Sequence, residues 1–389
     1  MKSVLNSKIE EKKLCLSYDK CSQLHVSRKK TECKTNLKVH DRTMKRTDNI
    51  SYLADILSEK ATIDDTISSR RLKAIGIISQ ISTILKNVSL GMYYFRTALI
   101  LRNGLLLNGI LTNSEAWNFI SQRNYKILED CDIRLFSTLF ESNNTNRVLF
   151  HLETSTIPIR HVIAKRRFLY LWHILSRKPN ELISKVYEIQ KVKPVQYDFY
   201  PLIQSEKTKY GIHLTDDEIK SFSKNKFQQI VNRSVDTFAF SQLINTAKNQ
   251  TKCRQILDSI DESNMNIQRY LICDNLVKEE QLLLFQLRSR SFPVKMNFQY
   301  KYNNDLGCRA CNDVNLNECE LHFCESCVAF QEERNGHEMA YDDIFGPLEV
   351  QVKFIKKFKT IARKWRLILD TSILMDRSAY LSLQLINLF

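Results

Sequence analysis

Apolar residues recur along this chain at two periods, and the change from one to the other divides it. In roughly the first 60 residues the runs are short and alternating. Leu14 and Leu16, then Leu24 and Val26, flank Ser17-Tyr18-Asp19-Lys20-Cys21, which predicts strands beside a turn. Asn49 to Asp55 predicts a turn entering another short strand. From about Ile63 the period becomes helical. Leu72, Ile75, Ile78, Ile81, Ile84 and Val88 recur every three or four residues, the stripe of an amphipathic helix. Ala98 to Leu111 is apolar nearly all round and predicts a buried helix. A third helix is expected over Ser121 to Phe140, with Tyr125, Leu128, Leu135 and Leu139 inward. Pro158 suits the first turn of a fourth, carrying Ile159, Ile163, Tyr170 and Ile174.

Residues from about 180 to 212, with Pro179, Pro194 and Pro201 among several lysines, lack clean periodicity and predict a linker. Thr215-x-x-Glu218 before Ile219 is a capping box, so a helix restarts there and is expected to run to roughly Asn232. Helical pattern continues to Leu287. The last helix carries Val352, Ile355, Phe358, Ile361 and Trp365 inward, with Lys353, Lys356, Lys357, Lys359, Arg363, Lys364 and Arg366 outward. Eight glycines and six prolines in 389 residues leave room for few loops, so the chain is expected to be mainly α.

Between these helical tracts lies Cys308-x2-Cys311-x10-His322-x4-Cys327. Thiol and imidazole ligands at turn-compatible spacings are what a tetrahedral zinc site needs, and soft thiolates select zinc over hard cations. The spacing leaves the ligand set open, because Cys324 could replace Cys327 and Cys319 could replace His322. A zinc knuckle is the expectation; an accidental cysteine-rich loop is the alternative. Six further cysteines (Cys15, Cys21, Cys33, Cys131, Cys253 and Cys273) are scattered, which is no disulfide framework and fits a reducing compartment, cytoplasm or nucleus. No signal peptide is read after Met1, and Ala98 to Leu111, broken by Arg102 and Asn103, is too short to span a bilayer. No membrane partner is therefore expected.

A formal net charge of +15 points to a polyanion, and nucleic acid is the expected partner rather than a small-molecule substrate. Arg160, Lys165, Arg166 and Arg167 interleave with His161, Phe168, Tyr170 and Trp172, a mixture of phosphate-directed charge and rings able to stack on bases. The competing reading buries the rings, Phe168 and Trp172 first, and solvates the charges. Lys353, Lys356, Lys357 and Arg363 are the second candidate set.

The order of these segments resembles the reverse transcriptases of non-LTR (LINE-type) retrotransposons. Leu14 to Val26 resembles the piece that follows the catalytic aspartates, and Lys20 stands where that family places a lysine near the triphosphate. Tyr52-Leu53-Ala54 is similar to the primer-grip strand, with Ala54 in place of the family's glycine. Ile63 to Gly91, and Leu99 through Trp117, look like the helical thumb, and the cysteine cluster sits where those elements carry a Cys-Cys-His-Cys knuckle. The resemblance implies a palm remnant over 1–62, a thumb-like domain over 63–180, a linker and helical connector over 181–300, and the zinc knuckle with a basic helix over 301–389.

It also implies what is missing. No Phe/Tyr-Ala-Asp-Asp loop occurs in the 389 residues, and no Pro-Asp…(Asp/Glu)-x-Lys nuclease pattern follows the knuckle. Polymerisation needs carboxylates holding two divalent ions, so magnesium belongs only to a full-length parent enzyme, and this chain alone is expected not to extend a primer. Two function classes follow: a non-catalytic C-terminal fragment that binds template/primer or target nucleic acid, or a free-standing zinc-stabilised nucleic-acid-binding protein. An unrelated helical scaffold is the third.

Overall fold

The computed structural model describes residues 22–24, 38–39, 42–52, 55–58, 62–87, 93–117, 119–142, 145–260, 266–302, 305–334 and 339–386. Leu14 to Cys21, with Lys20, and Leu53 and Ala54 lie outside the described residues. The molecule is mainly helical, 68% helix against 6% strand. The strands are short: β1 (Ser22–Gln23), β2 (Lys38–Val39), β3 (Arg42–Thr43), β4 (Lys45–Arg46), β5 (Asn49–Tyr52) and β6 (Asp55–Ser58). β5 and β6 form an antiparallel hairpin, pairing Asn49 with Ser58 and Tyr52 with Asp55, so Tyr52 lies beside the turn. β2 pairs antiparallel with β3, whereas β1 and β4 pair in parallel.

Helices follow as α1 (Asp64–Asn87), α2 (Tyr94–Leu101), α3 (Gln122–Leu139), α4 (Arg147–Thr154), α5 (Ile159–Leu175), α6 (Leu182–Val192), α7 (Phe199–Tyr210), α8 (Asp216–Ser221), α9 (Lys224–Lys248), α10 (Arg254–Leu257) and α11 (Lys278–Arg288). Strands β7 (Gly307–Cys308) and β8 (Asp313–Asn317), helix α12 (Glu320–Glu325) and helix α13 (Leu348–Ile386) complete the chain. Residues 1–77, 105–131 and 162–234 make one compact unit, and residues 78–104, 132–161 and 235–389 a second.

The structure departs from three of the expectations. The buried stripe of α1 is Ile67, Arg70, Ala74, Ile78, Ile81 and Leu85, while Leu72 is 71% exposed and Ile75 and Ile84 also face solvent. The stripe admits Arg70 because its guanidinium reaches the Asp55 carboxylate (2.9 Å) and the carbonyls of Gly109 and Thr112. The apolar stretch Ala98 to Leu111 is not one helix buried all round. It passes from α2 into a π-helical segment, Arg102–Leu107, and Ile100 and Leu105 are exposed. Arg102 lies at the start of that widened turn, buried, with Nε 2.7 Å from Asp132 Oδ1 in the second unit. Local widening of a helix lets a side chain take a direction the regular spiral does not offer. The expected linker is two helices, α6 and α7. Pro179 precedes the first, Pro194 falls between them and Pro201 sits in the first turn of the second, positions that tolerate a missing N–H.

The capping box is present. Glu218 N donates to Thr215 Oγ1 (3.2 Å) and Thr215 N to Glu218 Oε2 (2.7 Å). The helix it starts, α8, ends at Ser221, and a fresh cap, in which Lys226 N donates to Ser223 Oγ, begins α9.

In the second unit, Phe95, Phe136, Phe140, Phe150 and Phe285 stack into a fully buried aromatic core, with Phe140 and Phe285 centroids 3.9 Å apart. Beside it Arg288 is buried against Glu153 (3.0 Å), with Tyr270 Oη donating to the same carboxylate (2.7 Å) and Arg288 also reaching Ile344 O and Ser259 Oγ. A buried ion pair of this kind survives only when its remaining hydrogen-bonding capacity is filled, and here it is.

Candidate metal centre

The segment after α11 is built to bring four ligand atoms together. β7 and β8 pair antiparallel around a bulge, and the turn between them holds Cys311. Gly307 is required there, since a Cβ on it would stand 2.9 Å from Val314 Cα in the facing backbone. Asn312 takes the left-handed conformation (φ 58°) that closes the turn. Helix α12 then presents His322, and its end returns Cys327, whose N–H donates to His322 O (2.8 Å).

Cys308, Cys311, His322 and Cys327 place their ligand atoms within 4.8 Å of one another. Cys308 Sγ lies 3.9 Å from Cys327 Sγ, and Cys311 Sγ lies 3.5 Å from His322 Nε2. A tetrahedron with metal–sulfur bonds of ~2.3 Å and a metal–nitrogen bond of ~2.0–2.1 Å has edges of roughly 3.8 Å between sulfurs and 3.6 Å between sulfur and nitrogen. These two edges match those of a tetrahedral Cys3His site, and the four ligand atoms together could hold a metal ion, compatible with zinc. His322 Nδ1 lies 2.9 Å from Ser326 Oγ, a partner that fixes the ring with Nε2 turned to the cluster.

The electrostatics favour a cation. The hydrogen bond from Cys327, with backbone N–H groups of Cys311 and Ala310, draws the Cys308 thiol down to about 5 despite burial. Cys327 is pushed up by the proton it gives Cys308 and by burial. Cys311 is pushed up by burial and by the Cys308 charge. One thiolate forms readily; further ones form only against its charge unless a cation sits between them.

The two alternative ligands have other tasks. Cys319 is the N-cap of α12, its Sγ accepting from His322 N (3.4 Å). Cys324 is fully buried, and burial pushes its thiol far up. Supporting groups that the sequence reading did not name surround the site. Glu318, with no exposed surface, receives Arg309 Nε (2.8 Å) and the N–H groups of Arg309 and Lys295. Arg334 donates to the carbonyls of Phe323 (2.9 Å) and Cys327 (2.8 Å). Ser326, four residues after His322 at the C-terminal cap of α12, was a readable signal; nothing local marks Arg334.

The candidate phosphate ligands separate sharply. Arg167 is core: it pairs with Glu206 and donates to Trp117 O, all within the first unit. Arg166 donates to Leu111 O and, at 2.8 Å, to Asn108 Oδ1. Arg160 and Lys165 are half-buried. The rings beside them are packing groups: Phe168 is fully buried, Tyr170 meets Phe199 edge-on at 5.4 Å, and Trp172 Nε1 donates to Phe222 O (3.0 Å). On α13, Lys353, Lys356, Lys357 and Arg363 are all exposed. Tyr341-Asp342-Asp343 lies in a 3-10 turn whose Tyr341 hydroxyl donates to Leu287 O (3.0 Å).

No family model, no curated protein and no solved structure matches this chain. Among the described residues no helix is long and apolar enough to cross a membrane.

Proposed function

We propose that this chain is a non-catalytic, zinc-stabilised nucleic-acid-binding piece, the C-terminal part of a reverse transcriptase of the non-LTR (LINE-type) retrotransposon kind. The observation that carries the reading is the Cys308, Cys311, His322 and Cys327 cluster, its ligand atoms within 4.8 Å of one another, in a chain of net charge +15. The motif order given above, short strands, helices, a cysteine–histidine module and a basic helix, supports the family. Zinc here is structural. All four ligands come from the protein, so no coordination position is left for a substrate or an activated water.

In this reading Lys and Arg side chains meet phosphates, whose contacts set affinity and position without reading sequence. The chain contributes no polymerase chemistry, because the Phe/Tyr-Ala-Asp-Asp loop that would hold two catalytic ions does not occur in this sequence.

Three measurements on the purified chain test this. Elemental analysis after dialysis is expected to give one zinc per chain. Fluorescence anisotropy against a short duplex and a short RNA–DNA hybrid is expected to show binding whose log affinity falls linearly with log salt. Magnesium-dependent primer extension is expected to be absent. Binding indifferent to salt, or none at low salt, would sink the nucleic-acid reading; primer extension by this chain alone would sink the non-catalytic one.

A further inference from the structure

Helix α13 carries seven cations between Lys353 and Arg366, and the structure sorts them into two groups. Lys359 and Arg363 meet Glu279 at 3.5 and 3.3 Å, and Arg366 meets it at 3.7 Å. Lys359 also meets Glu280 (3.0 Å), and Lys364 meets Glu333 (2.9 Å). These four are matched by carboxylates of the same unit. Lys353, Lys356 and Lys357 are not. They are exposed, and among the described residues their ammonium groups make no hydrogen bond or ion pair. Glu349, one turn earlier on the helix, forms no ion pair with Lys353.

The i, i+3 and i+4 spacing places those three lysines on one face, within ~6 Å of helix axis. Three like charges so close repel one another, and among the described residues no carboxylate pairs with them. The helix is nevertheless held firmly. Its opposite face buries Phe354, Ile355, Phe358, Ile361 and Trp365. Trp365 Nε1 donates to Pro293 O (3.1 Å), and its ring packs edge-on against Phe323 (5.0 Å), the neighbour of His322. The ridge is therefore a fixed row of compact, mobile-tipped charges braced by the metal module. Lysine suits that use, since an ammonium on a flexible stem meets phosphate as a point charge without demanding one geometry.

We propose that the Lys353, Lys356 and Lys357 ridge is the face that takes the phosphodiester backbone of nucleic acid. This rests on the nucleic-acid reading above and narrows it: Arg363 and its paired neighbours serve structure, and the ridge serves the ligand. Three phosphate contacts on a duplex predict a contribution of about 2.7 to the salt slope, so a fourfold rise in salt costs roughly 40-fold in affinity through these residues alone.

The test uses the full, zinc-loaded chain and a short fluorescein-labelled DNA duplex at several salt concentrations. Lys353→Gln/Lys356→Gln/Lys357→Gln is compared with Lys359→Gln/Arg363→Gln/Arg366→Gln, with zinc content and melting recorded for both. The ridge variant is expected to keep its zinc and its melting temperature while its slope falls by about 2.7, equally on unrelated sequences. The second variant is expected to keep the wild-type slope. Equal losses in both variants, or an unchanged slope in the ridge variant, overturn the inference and leave the function reading intact. Wild-type protein that ignores the duplex but binds phosphatidylserine vesicles overturns both.

Discussion

Removal of the metal is the perturbation with the largest expected effect. The segment from Gly307 to Cys327 is mostly turn and short strand, and what it buries is chiefly Cys308, Phe323, Cys324 and Cys327, three of them within or touching the ligand set. So small a core does not offset the ordering of the loop around it, and binding energy must supply the difference. At free zinc a thousandfold above its dissociation constant, linkage gives the holo fold about 4 kcal/mol. For a unit of this size each kcal/mol moves Tm by about 2–4 °C, so a strong chelator is expected to lower Tm by roughly 8–16 °C. The loss should reach α13, because Phe323 packs on Trp365 and Arg309 lies over the same ring (5.1 Å). Differential scanning fluorimetry with and without chelator reads the shift, and cobalt substitution reads the geometry through tetrahedral ligand-field bands. Cys308→Ser and Cys311→Ser are expected to abolish stoichiometric metal. Cys319→Ser, which keeps a capping oxygen at the start of α12, is expected to retain it with stability unchanged or raised by up to ~1 kcal/mol. Stoichiometric zinc in Cys308→Ser, or a Tm that does not move once elemental analysis proves the metal gone, would refute the reasoning.

Other consequences are smaller and more local. His151 is buried against Phe136 with Nδ1 3.0 Å from Thr156 Oγ1; burial lowers its pKa to about 4, with Asp132 opposing and Arg102 reinforcing. The unfolded imidazole titrates near 6.5, so this contribution is whole above that pH and drains away as pH falls towards 4, by about 3 kcal/mol in all. Urea melts of wild type and His151→Gln across that window are expected to converge at the acid end. Glu153→Gln leaves Arg288 buried without its counter-charge and is expected to cost about 3–5 kcal/mol, whereas Glu153→Leu/Arg288→Met should cost less than the two single changes together. Gly307→Ala puts a methyl group into the facing strand and is expected to weaken cobalt binding and to cost about 1–3 kcal/mol, read by the same melts.

What the sequence disclosed depends on how far apart the partners are. The metal ligands span twenty residues of chain, and the spacing of Cys308, Cys311, His322 and Cys327 is itself the signal. Choosing among six candidate ligands needed the fold, because nothing in spacing says that Cys319 caps a helix while Cys324 turns inward. Helix existence was legible wherever periodicity was strong, as in α3, whose Leu128, Leu135 and Leu139 are buried as expected. The face of α1 was not, because a rule that counts only apolar residues cannot admit Arg70, whose buried place is secured by Asp55 fifteen residues away. The prolines near 180–212 misled for a related reason: read as breakers, they in fact mark where α6 and α7 begin and are separated.

Charge was the least legible quantity, and it bears most on function. A net charge of +15 says that a polyanion is a fitting partner and nothing of where it would lie. The cluster from Arg160 to Arg167 reads in sequence as a basic patch, yet Arg167 is spent on Glu206 and Trp117, and Arg166 on Leu111 and Asn108, within one unit. The same holds on α13, where Glu279, Glu280 and Glu333 answer four of the seven cations between Lys353 and Arg366 from distant points in the chain. Counting basic residues therefore overstates any phosphate-binding surface, because carboxylates that neutralise it are brought in by the fold. The measure that matters is the set of cations left exposed without a partner, and between Lys353 and Arg366, among the described residues, that set is Lys353, Lys356 and Lys357.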